Sequence, residues 1–97
     1  MAQTPEGKVK AAVRKLLAEF DIYYFSPAAN GYGRAGIPDI ICCFGGRFIA
    51  IECKAGKGVT TALQDRELAA IRTAGGMTMV VNETNIQELK EKLQWMR

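Results

Sequence analysis

Apolar residues first recur along the chain at helical spacing, at Val9, Val13, Leu16, Leu17 and Phe20, with Lys8, Lys10, Arg14, Lys15 and Glu19 filling the remaining positions. This period predicts a helix from Thr4-Pro5-Glu6 to about Phe20. Thr4 offers a capping hydroxyl, Pro5 suits the first turn, and Glu6 suits the positive end of the helix dipole. Glu6 lies three residues before Val9, so it extends the apolar face and is expected to point toward whatever that face packs on. The pattern then changes to short runs rich in β-branched and aromatic residues. Ile22–Ser26 reads as a strand, and Pro27–Gly36 as a loop with Asn30-Gly31, Gly33 and Gly36 around Tyr32 and Arg34. Pro38–Phe44 and Arg47–Lys54 read as two strands of a hairpin. Their apolar residues fall on both faces, which predicts strands covered on both sides. Helical spacing returns from Thr61 to Ala74 and ends at Gly75-Gly76. Met77–Val81 reads as a strand, and Thr84 to about Trp95 as a last helix with Thr84 and Gln87 as a capping box. The expected order is α-β-β-β-α-β-α in a single α/β domain over residues 1–97, without repeat or linker.

The hairpin carries the most specific signal. Gly45-Gly46 between apolar runs predicts a two-residue turn, because both central residues of the favoured tight turn need positive φ. If Phe44 pairs with Arg47, then Ile40 pairs with Ile51, and Asp39 falls opposite Glu52. Directly opposed side chains have Cβ atoms roughly 4.5–5.5 Å apart. Two anions at about 5 Å repel by roughly 3 kcal/mol at an effective dielectric near 20, so such a pair calls for a cation between its members. A divalent metal is the natural candidate. Removing either carboxylate is then expected to hold or raise the stability of the metal-free protein. Alternation along the strand puts Lys54 on the face of Glu52 and Cys53 on the other.

Composition narrows the chemistry. The chain has 97 residues, nearly half of them hydrophobic, enough for one small domain with a real core. No apolar run reaches membrane-spanning length and Met1–Lys10 lacks the apolar stretch of a signal peptide, so a cytoplasmic protein is expected. There is no histidine, which excludes histidine general-base and triad chemistry. The three cysteines, Cys42, Cys43 and Cys53, lack the spacing of a disulfide framework or a zinc site and read as small buried hydrophobes. The net charge of +3 is unevenly spread. Lys and Arg outnumber Asp and Glu nine to six up to Arg66, and the count is four to four from Glu67 onward. With Asp39, Glu52 and one further acid neutralised by metal, the first two-thirds of the chain presents a positive field suited to a polyanion.

Glu6 on the first helix, Gly36-Ile37-Pro38-Asp39, the triplet Glu52-Cys53-Lys54, and Gln64 opening the next helix resemble the PD-(D/E)xK nuclease superfamily. More narrowly, they resemble its stand-alone virus-type replication-repair nuclease (VRR-NUC) domains. The resemblance covers nearly the whole chain. It implies a restriction-endonuclease-like mixed sheet flanked by helices, and metal-dependent hydrolysis of DNA phosphodiesters, often in branched DNA such as four-way junctions. A bacterial or phage-infected cell is the expected setting.

The chemistry of the residues agrees. Phosphodiester hydrolysis needs charge neutralisation, an activated water and a stabilised leaving oxygen. Asp39 and Glu52 supply hard oxygen ligands for Mg²⁺ or Mn²⁺, to which Glu6 and the carbonyl of Cys53 can add. Lys54 suits the orientation of the attacking water or neutralisation of the growing phosphorane charge. Gln64 suits holding the water or the lysine, although Thr61-x-x-Gln64 is also a capping box. Arg34 and Tyr32 are loop residues suited to gripping a phosphate and stacking on a base; Lys8, Arg14 and Lys57 are further candidates for the DNA backbone. Lys10 and Lys15 belong with Lys8 and Arg14 to a solvated helix face that also suits contact with the DNA backbone. No organic cofactor is implied. A four-way junction has two strands to cut and this chain one site, so a homodimer follows, with Trp95 and Met96 as interface material. The rival readings are a less selective flap or single-strand nuclease and a non-catalytic DNA-binding module.

Overall fold

A computed structural model describes residues 3–28 and 34–97. Helix α1 (Pro5–Glu19) starts as its sequence dictates: Pro5 occupies the first turn, and the N–H of Gly7 donates to Oγ1 of Thr4 at 3.0 Å. It ends at Phe20. Asp21 then takes a left-handed conformation with φ 56°, while the N–H of Ile22 donates back to the carbonyl of Leu17 at 3.0 Å and turns the chain into β1 (Tyr23–Phe25). Aspartate tolerates that region better than most residues with a Cβ.

Strands β2 (Ile40–Phe44) and β3 (Arg47–Cys53) form the expected hairpin, with Gly45 at φ 59° and Gly46 at φ 79°. The register runs from Phe44 opposite Arg47 to Ile40 opposite Ile51. β1 pairs antiparallel with β2, Tyr23 opposite Cys43 and Phe25 opposite Ile41. Helix α2 (Ala62–Thr73) is the crossover that lets β4 (Met77–Val81) return parallel to β3. Helix α3 (Ile86–Met96) ends the chain. The result is a four-stranded mixed sheet in the order β1-β2-β3-β4, flanked by helices.

Side chains of one parity on the hairpin, Ile40, Cys42, Ile49, Ile51 and Cys53, join Val13 and Leu17 of α1 and Leu89 and Leu93 of α3 in one buried core. The other face is covered less completely than the two-sided apolar pattern predicts. Helix α2 meets it where Gln64 reaches Glu52 and where Ile71 and Phe48 close on Gly76. Toward β1 the same face is open: Tyr23, Phe25, Phe48 and Cys43 are exposed. Cys43 is therefore not the buried hydrophobe expected of it. Cys42 and Cys53 are buried, and burial pushes their thiols up to about 11 and about 12, so they remain protonated packing groups.

The start of α3 also differs from expectation. Thr84 does not cap it with Gln87. Oδ1 of Asn82 instead accepts from the N–H groups of Thr84 and Asn85, Oδ1 of Asn85 accepts from the N–H of Asn82, and the helix begins two residues later, at Ile86. Short amide side chains compete well for nearby backbone donors, and here a pair of them outcompetes the hydroxyl. Among the described residues, no helix is long and apolar enough to cross a membrane.

Candidate active site

The antiparallel ladder between β2 and β3 stops at Ile40 and Ile51. Beyond it the pairing is made by a side chain, as Oδ2 of Asp39 accepts the N–H of Cys53 at 2.8 Å. Asp39 and Glu52 thus come together at the end of the hairpin, as the register requires. Their surroundings are unequal. Glu52 is 2% exposed, whereas the Asp39 side chain keeps 18% of its surface in solvent.

The partners of Glu52 crowd one oxygen. Its Oε2 accepts from Nε2 of Gln64 at 3.0 Å and lies 3.6 Å from Nζ of Lys54, while its buried Oε1 has no hydrogen-bond partner among the described residues. Burial, then the negative charge of neighbouring Asp39, push Glu52 up to about 7 against the pull of Lys54. A buried carboxylate with one unpartnered oxygen is costly to hold unless something cationic meets it.

Gln64 makes the cap that its sequence position suggests, and its other end meets Glu52 rather than Lys54. Its Oε1 accepts the N–H of Thr61 at 2.9 Å and its N–H donates to Oγ1 of Thr61 at 3.2 Å, which is the reciprocal cap of α2. That fixes the side chain so that the amide NH₂ aims at Glu52. Gly36, at φ 77°, permits the close approach of the preceding loop: a Cβ there would stand 2.5 Å from the backbone of Leu63 and 2.8 Å from the N of Gln64. The first turn of α2 and the segment leading to Asp39 are docked through that contact.

Lys10 changes the electrostatics in a way that its place among the charged positions of α1 hides. Its Nζ lies 3.2 Å from Oδ1 of Asp39 and 3.6 Å from Oε2 of Glu6. Burial disfavours the charge on Lys10, but the charge and hydrogen bond of Asp39 outweigh it and raise the pKa, with Glu6 adding to the effect. Lys10 is thus part of the site rather than of a solvated face. The available signal was the Glu6-x-x-x-Lys10 spacing, which puts the ammonium on the same helix edge as the acid. Glu6 engages Lys10 instead of meeting the other two carboxylates directly, and among the described residues no three His, Cys, Asp or Glu side chains converge as a ready-made metal cluster.

The expectation that either carboxylate could be removed without loss needs correction for Asp39. That side chain holds the N–H of Cys53 and pairs with Lys10, so its deletion strands a backbone donor. Relief of repulsion applies to Glu52.

A cleft of about 550 Å³ opens on Asp39 and Gln64 and is lined by Lys10, Arg14, Arg34 and Ser26. Arg14 reaches Oγ of Ser26 at 3.5 Å. Arg34 donates through Nε to Oε1 of Glu67 at 2.8 Å, which ties this exposed guanidinium to α2 at the cleft wall. Lys8 lies elsewhere, in a groove between α1 and the start of α3 with Glu83 and Ile86. Lys57 is exposed in the turn after β3, and Tyr32 falls outside the described residues.

The residues fit a hard divalent cation in part. Two carboxylates, one with an unpartnered buried oxygen, are the donor set from which Mg²⁺ is commonly held, the rest of its shell coming from water and substrate phosphate. No protein-family model matches the chain, and no curated protein matches it either.

Proposed function

We propose that this protein is a Mg²⁺- or Mn²⁺-dependent DNA endonuclease. The observation that carries the reading is buried Glu52 beside Asp39, with Oε1 unpartnered and with Lys54 and Gln64 on Oε2, next to a cleft lined by cationic side chains. A buried carboxylate with an unpartnered oxygen has no structural use there that an apolar side chain of similar size would not serve better. Asp39 and Glu52 would hold the cation. When bound, it neutralises phosphate charge and lowers the pKa of a ligated water.

Gln64 keeps the Glu52 carboxylate in one orientation, and the capping bonds to Thr61 keep Gln64 itself from rotating away. Lys54, only 13% exposed, adds a fixed positive charge against the negative charge that grows on the phosphoryl oxygens. Arg14 and Arg34 line the cleft as backbone contacts, which position a duplex without reading its sequence. The likeness to VRR-NUC domains supports branched DNA as substrate and four-way junctions first. Two strands to cut and one site per chain support a homodimer, with exposed Trp95 at its disposal.

The test is single-turnover cleavage, with Mn²⁺, of a synthetic four-way junction beside flap, single-stranded and linear duplex DNA. Wild type is expected to cut the junction, and Glu52→Gln to lose at least roughly 10³-fold in rate. Light scattering should give the mass of a dimer. Preference for flap or single strands by a monomer would move the assignment to a less selective nuclease; robust metal-dependent cutting by pure Glu52→Gln would remove the nuclease assignment from this site.

A further inference from the structure

The cation that the opposed carboxylates require is already present in part, and it is a side chain. Lys10 Nζ stands 3.2 Å from Oδ1 of Asp39, the one oxygen of that carboxylate that the backbone N–H of Cys53 does not hold. It also stands 3.6 Å from Oε2 of Glu6, one helical turn earlier on α1. The other side of the site is arranged differently. Glu52 Oε2 is taken by Gln64 and Lys54, and Oε1 is free. An incoming cation thus meets an open oxygen on Glu52 but an occupied one on Asp39.

We propose that Lys10 is a resident counter-ion that competes with the divalent cation for Asp39 and, once displaced, becomes a contact for the DNA backbone. The inference rests on the metal-dependent reading above and adds a residue to it. Lys10 is suited to both positions. Its side chain is about one-third exposed and joined to the helix by a flexible stem, so it can leave Asp39 without disturbing α1. It lines the same cleft as Arg14 and Arg34, so the freed ammonium stays where a phosphate would lie. Metal loading and the grip on DNA are coupled as a consequence. Without the cation, Lys10 neutralises Asp39 and is withheld from the substrate; with it, the same charge is released into the cleft. Lys54 cannot exchange in this way, since it is 13% exposed and held against Glu52.

The experiment compares wild type, Lys10→Met and Lys10→Arg by calorimetric titration with Mn²⁺, in the absence of DNA, and by thermal melting in chelator and in saturating Mn²⁺. Lys10→Met removes the competitor, so Mn²⁺ should bind about tenfold more tightly, while melting in chelator falls by several degrees and recovers when Mn²⁺ is saturating. Lys10→Arg offers a fork that holds Asp39 and Glu6 together, so Mn²⁺ should bind at least about threefold more weakly, which keeps the test alive if the methionine variant does not fold. Unchanged or weaker Mn²⁺ binding by folded Lys10→Met overturns the proposal, as does tighter binding by Lys10→Arg. The nuclease reading fails separately. A wild type that cuts no DNA while Lys10→Met still gains Mn²⁺ affinity would remove the activity and keep the competition, and efficient cleavage with equal affinities in all three proteins would do the reverse. Absence of Mn²⁺ binding in all three overturns both.

Discussion

The two faces of the β2–β3 hairpin are built from alternate residues of the same ten-odd positions and behave as different materials. On one face Ile40, Cys42, Ile49, Ile51 and Cys53 are sealed under α1 and α3. On the other, Ala50 is covered, Phe48 and Cys43 are exposed, and the innermost position after Ala50 is a carboxylate, Glu52, at 2% exposure. The first face holds the strands in register through dry packing. That register delivers Asp39 to Glu52 on the second, where apolar cover is traded for a polar cluster. A small domain can carry a costly buried acid because the opposite side of the same backbone is so well packed.

If the faces divide the work in this way, the largest loss of stability lies on the sealed side. Ile51→Ala, at a fully buried position, should cost about 2–5 kcal/mol, read from chemical denaturation. A loss under about 1 kcal/mol would mean that the sealed face is not what holds the hairpin.

Glu52→Gln should move stability the opposite way, and its pH dependence gives the sign. In the folded chain Glu52 is raised to about 7 from an ordinary 4.5, so the folded state retains a proton that the unfolded chain has released. Metal-free wild type is therefore most stable, with respect to this group, below pH 4.5, and loses that stability as pH rises through 7. The glutamine variant should be the more stable protein at pH 8, by roughly 2–4 kcal/mol, and the difference should close toward pH 4.5. Melting curves in chelator across that range test it; a constant difference between the two proteins at all pH values would rule out the raised carboxyl.

Asp39→Ala separates the two acids. It strands the N–H of Cys53 and releases Lys10, so a cost of about 1–3 kcal/mol is expected where Glu52→Gln gains. Equal gains from both substitutions would mean that mutual repulsion outweighs the bonds Asp39 makes. The smallest effect belongs to the open end of the second face. Tyr23 is 71% exposed and Tyr23→Ser should change stability by less than about 0.5 kcal/mol in a monomeric preparation. A larger loss that depends on protein concentration would mark this edge as a contact between copies.

Much of this arrangement was legible in the order of residues alone. Gly45-Gly46 fixed the turn, the turn fixed the register, and the register brought Asp39 to Glu52 with Lys54 on the same side and Cys53 on the other. These are local consequences of positive φ and of alternation, so a linear reading reaches them. The helix of residues 5–19 and the strand of residues 77–81 were legible for the same reason, since period and punctuation lie within a few neighbours. The two asparagines before α3 escaped because several side chains can compete for the same backbone donors, and the sequence does not rank them.

Other features depended on distance through space. Nothing near Cys43 in sequence says that its part of the face is left open, because coverage depends on where the crossover helix lands. Gln64 was divided between a cap and a site; the fold gives its two ends to Thr61 and Glu52 at once, which requires Gly36 to let the loop close on α2. Lys10 is one of several cations on α1, and only the packing of that helix beside the end of the hairpin selects it for Asp39. The sequence by itself determined the elements, the hairpin register and the opposition of two carboxylates, since those follow from backbone conformation and short-range periodicity. Tertiary structure alone decided how deeply Glu52 is buried, which of its oxygens lacks a partner, and which lysine answers Asp39, because desolvation and Coulomb energy depend on what other parts of the chain bring within a few ångströms.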